Sequence, residues 1–337
     1  MSPSWLAGTD VLMTDEPLRA HVPVLLDRVV ELLVDAPSGP IVDGTLGAGG
    51  HAAAVLAARL ERHGQAHLVG VDRDADALAL ARARLEEEIV ADAVALDWVH
   101  GRFDDAPEAL DGLGIGEVAG VLLDLGISSM HVDRAERGFS YRKDGPLDMR
   151  MDRDQALTAA DIVNEWPAEE LERILREYGE EPHARRIARA VVEQRPLKTT
   201  TQFAAVVRAA IPAAARRRGS HPATRTFQAL RIAVNSELDA LAAALPALQD
   251  RLMIGGVMVV LSYHSLEDRL VKRSFADAAA GCICPPELPV CTCGRVPNFE
   301  HVVRRPERVH AVEAEANPRS TAARLRAIRR IDRQDHA

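Results

Sequence analysis

The chain has 337 residues, 47% hydrophobic and only 4% aromatic, enough to bury a large core built mainly from Ala, Val, Leu and Ile. No apolar run reaches the roughly 18 residues of a membrane span, and the first twenty residues lack a basic stretch followed by a cleavable apolar one. A cytosolic protein with no membrane partner is therefore expected, with residues 1–20 as a loose tail. The formal net charge of −9 argues against a polyanionic partner only until its distribution is read. From Pro182 to Asn235 eleven Lys or Arg face a single acid, Glu193, a local +10 that leaves −19 elsewhere. Such segregation is an electrostatic footprint for nucleic acid, the alternative being a solvated helical face.

In chain order, His21–Leu26 leads into an amphipathic helix over Asp27–Leu33. Ile41 and Val42 form a short apolar strand that ends on Asp43 and breaks into Gly44, Gly47, Gly49 and Gly50, followed by an Ala- and Leu-rich helix from about His51 to Arg62. Strand, glycine loop and helix in that order predict a nucleotide-type cradle: backbone N–H groups approach a ligand closely and the helix N-terminus favours an anion. A second apolar run, His67–Val71, ends on Asp72, and Asp74 caps a helix from Ala75 to about Ile89. The β-α-β-α alternation implies a parallel sheet. Trp98–Phe103 reads as a short third strand and its exit loop, with Phe103 either covering an adenine ring or packing in the core. Val118–Leu125 is a buried fourth strand with Asp124 at its tip. Ligands of open α/β sheets bind outside the carboxyl ends of the strands, so Asp43, Asp72 and Asp124 are expected to converge on one rim.

From Ser128 to Val234 the rhythm lapses into polar loops and helical stretches around Ala159–Asn164, Ala168–Tyr178 and His183–Gln194. This predicts a helical insertion, residues 128–234, hung from the rim and carrying the basic surface. Residues 21–127 and 235–337 form the two parts of the α/β domain. The second part holds a long helix over Asn235–Leu252, a strand over Gly255–Tyr263, a helix over Leu266–Phe275 and a half-exposed last strand over Ala323–Ile331.

Gly47, Gly49 and Ala52 satisfy the G-x-G-x-x-G/A dinucleotide fingerprint, so a nicotinamide-dependent oxidoreductase is one reading. Asp43 points the other way: a carboxylate before the glycines repels a pyrophosphate but attracts the ammonium or sulfonium of S-adenosylmethionine. Cys282, Cys284, Cys291 and Cys293 cluster as two C-x-C pairs, a set that can hold zinc or remain reduced and structural; no metal is assigned. His221–Gln228 supplies a rigid turn, a cation and an aromatic, suited to clamping a phosphate and stacking on a base or simply to packing. In Ser262–Asp268, His264 can serve proton transfer or phosphate binding, while Ser265 ahead of Glu267 and Asp268 is also an ordinary helix cap.

Taken together, Asp43–His51, Leu123–Ser129, Glu136–Ser140, Gly145–Arg150, His221–Gln228 and Ser262–Asp268 resemble the bacterial 16S ribosomal RNA cytosine-N4 methyltransferases, the RsmH or MraW family, from about His21 to Ile331. The resemblance implies a class I S-adenosylmethionine-dependent fold, a Rossmann-like doubly wound α/β sheet with an inserted helical domain. It also implies N4-methylation of cytosine 1402 in the decoding region of the small ribosomal subunit. It carries cofactor roles onto Gly49, Gly50 and His51 at the methionyl end, Asp72 at the ribose, Phe103 beside the adenine, Asp124, and His131, where the family often has Gln. Asp124 is also the candidate catalytic residue, although Asp124-Leu125-Gly126-Ile127 replaces the D-P-P-Y-like motif of other amino methyltransferases. A non-catalytic ribosome-assembly factor that keeps the cofactor pocket is the rival reading, and a homodimer is left open.

Overall fold

The computed structural model describes residues 23–88, 93–216, 221–281, 284, 292–293 and 295–332; the expected tail, Arg217, Arg218, Cys282 and Cys291 lie outside them. Helix α1 (Leu26–Val34) precedes β1 (Ile41–Asp43), α2 (Gly50–His63), β2 (Ala66–Asp72), α3 (Ala75–Glu88), β3 (Val94–His100), α4 (Ala106–Gly112) and β4 (Val118–Asp124). A run of helices follows: α5 (Ser129–Asp133), α6 (Ala159–Glu165), α7 (Ala168–Glu177), α8 (Ala184–Glu193), α9 (Thr200–Ala210), α10 (Ala213–Arg216) and α11 (Thr224–Asn235). Helix α12 (Glu237–Asp250), β5 (Leu252–Ser262), α13 (Ser265–Ala279), β6 (Phe299–His301), β7 (Glu307–Arg308), α14 (Ala311–Ala316) and β8 (Arg324–Arg330) complete the chain.

The strands form one sheet in the order β3-β2-β1-β4-β5-β8-β6, with β7 also on β8. The first five are parallel, and β8 runs antiparallel between β5 and β6. This is the expected class I methyltransferase sheet. Strand β4 shows why it is doubly wound. Val121 and Leu123 face Leu241, Leu245 and Phe275 of α12 and α13, whereas Leu122 faces Val29 and Leu33 of α1 on the other side. Both faces are covered, so the strand is apolar throughout and only its tip, Asp124, reaches solvent. Strand order reverses between β1 and β4, which opens the crevice where such sheets bind ligands.

Phe139 to Val234 contribute a separate apolar core, including Ile174 of α7, Ile187 of α8, Phe203 of α9 and Leu230 of α11. The expected long helix over Asn235–Leu252 is α12, whose start is set at Glu237 because Ser236 takes a left-handed conformation (φ 49°) that ends α11. Strand β3 begins at Val94, four residues before the apolar pair Trp98-Val99; Val94-Ala95-Leu96 is apolar too, but Asp97 splits the run on this half-exposed edge strand. Of the cysteine cluster, Cys284 Sγ lies 3.6 Å from Thr292 Oγ1 and Cys293 is exposed.

A buried charge pair fastens the helical unit to the sheet. Arg137, 3% exposed, donates to Asp74 Oδ2 (2.8 Å) and to the carbonyls of Arg150 (3.2 Å) and Met151 (2.8 Å). Arg73 reaches the carbonyl of Asn235 (3.0 Å), and the Asn235 side chain bonds the backbone of Met149 and Met151. Asp74 is held down at a pKa of about 2 against burial by His131 and Arg137. Removing one partner of such a pair leaves a buried charge uncompensated. Arg137→Met is therefore expected to destabilise the protein by about 3 kcal/mol at pH 7. Because the folded pKa is depressed, the contribution is present above the ordinary value of 3.8 and lost as pH falls toward 2. Chemical denaturation of variant and parent at pH 7 and pH 3 should show the gap narrowing at the lower pH.

Candidate active site

Much of the glycine loop's backbone is engaged within the protein. Gly44 N donates to Leu122 O (2.9 Å), Leu46 N to Val71 O (3.1 Å), Gly49 N to Leu46 O (2.9 Å), Thr45 N to Asp43 Oδ1 (3.1 Å) and Gly47 N to Asp72 Oδ2 (2.7 Å). Four of these five donors tie the loop to the strand tips and the fifth closes a turn within it, so the part of the expected nucleotide cradle left to a ligand is the start of α2. Gly47 and Gly49 take positive φ (55° and 75°) so that the loop can fold back this way. Gly49 is the N-cap of α2, and a Cβ on Gly50 would fall 2.6 Å from Pro23, so the segment before α1 closes over the helix start.

The acids do gather. Asp43 is 3% exposed and its pKa is raised to about 7, first by burial and then by the charges of Asp124 and Asp72. Burial also raises Asp72, whose two oxygens accept from Gly47 N and Asp74 N (2.8 Å). Asp124 Oδ1 accepts from the Tyr263 hydroxyl (2.7 Å), its Oδ2 lies 3.6 Å from His51 Nδ1, and its backbone N–H donates to Thr45 Oγ1 (2.6 Å). His51, 7% exposed, is fixed at the other ring nitrogen on Val24 O (2.9 Å). Phe103 packs beside the same tips: a Cβ on Gly44 would lie 3.0 Å from the Phe103 Cβ.

His131 is buried, stacked on Phe139 (4.9 Å between centroids), and bonded through Nε2 to Asp74 Oδ2 (2.7 Å). Its Nδ1 is buried without a partner among the described residues. In the tautomer that donates to Asp74, Nδ1 is an acceptor awaiting a donor.

Sequence reasoning missed several members of the site. Tyr263 follows β5 and folds back over Gly126, whose φ of 105° brings the backbone against the ring. Burial and the charge of Asp124 push the phenol pKa upward, so it stays a donor. Arg137 and Asp74 carried no distinctive signal beyond a charged residue in a polar loop and a helix cap. The cap of α13 is His264, not Ser265: His264 and Glu267 form the reciprocal box, and the Ser265 hydroxyl turns to Glu180. Glu237, His264 and Glu267 also converge, and Arg231 supplies their counter-charge through two bonds to Glu237 (2.9 and 2.8 Å). Hence Arg231 does not belong to the basic surface. Arg195, bound to the carbonyls of Val163 and Trp166, and Arg216, bound to that of Ile211, are likewise structural. Phe227, 5% exposed, lies in the core of the helical unit and is not a stacking surface.

The MraW methylase family matches residues 19–331. The chain belongs to that family. Among curated MraW relatives, the ribosomal RNA small subunit methyltransferase H of Thermobifida fusca is 55% identical over 320 residues, covering 93% of this chain and 94% of its own length. The protein of that name from Heliobacterium mobile is 51% identical over 315 residues, covering 92% and 99%. A solved rRNA methylase from Streptococcus thermophilus overlaps 95% of this chain and all of its own with a TM-score of 0.39 at 10% identity; the MraW fold is therefore read from the strand order itself. Among the described residues no helix is long and apolar enough to cross a membrane.

The raised pKa of Asp43 has a sign. A buried acid whose folded pKa exceeds its ordinary 3.8 stabilises the fold fully below that value and loses the contribution as pH rises through about 7. Asp43→Asn is expected to raise stability at pH 8 by about 2–4 kcal/mol and far less at pH 5, measured by denaturant titration at both.

Proposed function

We propose that this protein transfers the methyl group of S-adenosylmethionine to the exocyclic N4 of cytosine 1402 in 16S ribosomal RNA of the small subunit. What carries the reading is near-full-length identity above one half with enzymes named ribosomal RNA small subunit methyltransferase H. The acid rim supplies the chemistry. Buried carboxylates that raise one another's pKa fit a cationic ligand, since a positive charge among them relieves their repulsion. Asp43 and Asp124 would face the positive end of the cofactor, Gly49, Gly50 and His51 its methionyl part, Asp72 the ribose hydroxyls and Phe103 the adenine. The acceptor at His131 Nδ1 suits a hydroxyl or an amine of the same molecule. S-adenosylmethionine, when bound, supplies an electrophilic methyl group on a sulfonium.

Cytosine N4 is a poor nucleophile because its lone pair is delocalised into the ring. Asp124, fixed at Oδ1 by Tyr263, accepts one of the amine hydrogens and helps the nitrogen pyramidalise as positive charge develops. The rim and the helical unit hold the amine in line, and positioning of this kind supplies several kcal/mol of barrier reduction. A paired base hides its amine, so the target is unpaired or flipped outward. Arg185, Arg186 and Arg189, exposed on α8, with Arg208 and Arg225, form the docking surface for the RNA backbone.

Small subunits from cells lacking the protein, incubated with it and S-adenosylmethionine, should gain one methyl group at cytosine 1402 by mass spectrometry. Asp124→Asn should cut turnover about 100-fold while cofactor affinity changes less than about tenfold. Retained turnover would remove Asp124 from the mechanism, and no methylation by the parent protein would sink the whole reading.

Cofactor affinity should rise by up to about tenfold per unit between pH 5.5 and 7 and then level off, with proton release in calorimetry, because the cation selects ionised Asp43. Reversing Arg185, Arg186 and Arg189 to Glu should weaken RNA binding and flatten its salt dependence, measured by titration at several ionic strengths. An unchanged slope would move the docking surface elsewhere.

A further inference from the structure

Two residues beyond Phe139, and so within about 7 Å of it along the chain, the half-buried Tyr141 is the middle ring of an aromatic stack whose exposed end is His221. Its ring lies parallel to that of His221, 4.3 Å between centroids and 6° between planes. From beneath, the buried Phe227 braces Tyr141 edge-on (5.5 Å, 80°), and Thr224 Oγ1 donates to its hydroxyl (3.4 Å). The imidazole is also pinned: the Ala223 N–H donates to His221 Nδ1 (3.2 Å), fixing the ring plane while His221 stays exposed. Arg142 lies 5.8 Å from the Tyr141 centroid, and partial burial, then the charges of Arg142 and Arg208, hold the His221 pKa below its usual value. The ring is therefore neutral at pH 7, flat, preorganised and surrounded by cations. A pair serving the core alone has no need of an exposed outer ring with guanidinium groups around it.

We propose that the Tyr141–His221 pair is a stacking platform for an unpaired RNA base flanking the target cytosine, with Arg142 and Arg208 taking the adjoining phosphates. The proposal rests on the rRNA methyltransferase reading above. Its chemistry is that of single-strand recognition, in which aromatic faces hold bases and arginines follow the backbone. Its place fits, because Phe139 stacks on His131, which reaches Asp74 beside the acid rim.

Three substitutions separate stacking from mere capping. His221→Ala removes both ring and acceptor, His221→Phe keeps a ring but cannot accept the Ala223 N–H, and His221→Asn keeps an acceptor without a ring. Steady-state methylation of unmethylated small subunits is measured for each, with cofactor affinity and melting temperature as controls. Stacking predicts that Ala and Asn raise KM for the subunit about tenfold, with kcat and cofactor affinity within about twofold, and that Phe restores most of the loss. Arg142→Ala should raise KM less and reduce its salt dependence. Rescue by Asn but not Phe, or an unchanged KM in all three, overturns the platform while leaving the methyltransferase reading intact. Absence of methylation by the parent protein removes both.

Discussion

The structure is organised around a concentration of negative charge that the sheet itself creates. Parallel strands end together, and here β1, β2 and β4 end on Asp43, Asp72 and Asp124, with Asp74 two residues further on. In a low-dielectric setting four carboxylates this close cannot all ionise without counter-charge. The protein answers unevenly. Asp74 receives His131 and Arg137 and is driven strongly acidic, whereas buried Asp43 receives only the uncharged Thr45 and is driven toward neutrality. The unequal treatment separates Asp74, whose charge builds the fold, from Asp43, whose charge the fold suppresses.

Arg137 links these two roles. Its guanidinium joins Asp74 to the backbone at Arg150 and Met151, where the loops of the helical unit begin. The charge that secures one acid also anchors the unit that carries the exposed arginines, so the acid rim and the arginine-bearing surface share a buried ionic joint. Such a joint is a weak source of net stability compared with apolar packing, but losing half of it is costly, which makes it a strong determinant of geometry.

Much of this was legible in the chain. Apolar runs ending in Asp43, Asp72 and Asp124 fixed a parallel sheet with an acidic rim, because fully buried strands can be read from composition alone. Less visible were the elements whose logic is non-local. The glycine loop has the composition of a nucleotide cradle, yet the amides of Gly44, Thr45, Leu46 and Gly47 turn inward to Asp43, Asp72 and the strand carbonyls, a choice made by tertiary partners that no local pattern encodes. Phe227 looked available for stacking because its neighbours are polar, but the helical period buries it and leaves His221 exposed. Short strands β6 and β7 escaped notice because two or three residues at a sheet edge carry too little periodicity to detect. Arginine counting overstated the basic surface, since Arg195, Arg216 and Arg231 are consumed by carbonyls and by Glu237.

The junction of α11 and α12 has a mechanical meaning. Only Ser236 separates the last residue of the helical unit from the first helix of the returning sheet layer, and Arg231 bridges the break to Glu237 while Glu267 of α13 lies 3.9 Å away. The elbow is a single residue long and is splinted by that ion pair. A displacement at the end of α11 is therefore passed to α12 through one residue and one ion pair, with no linker between to absorb it.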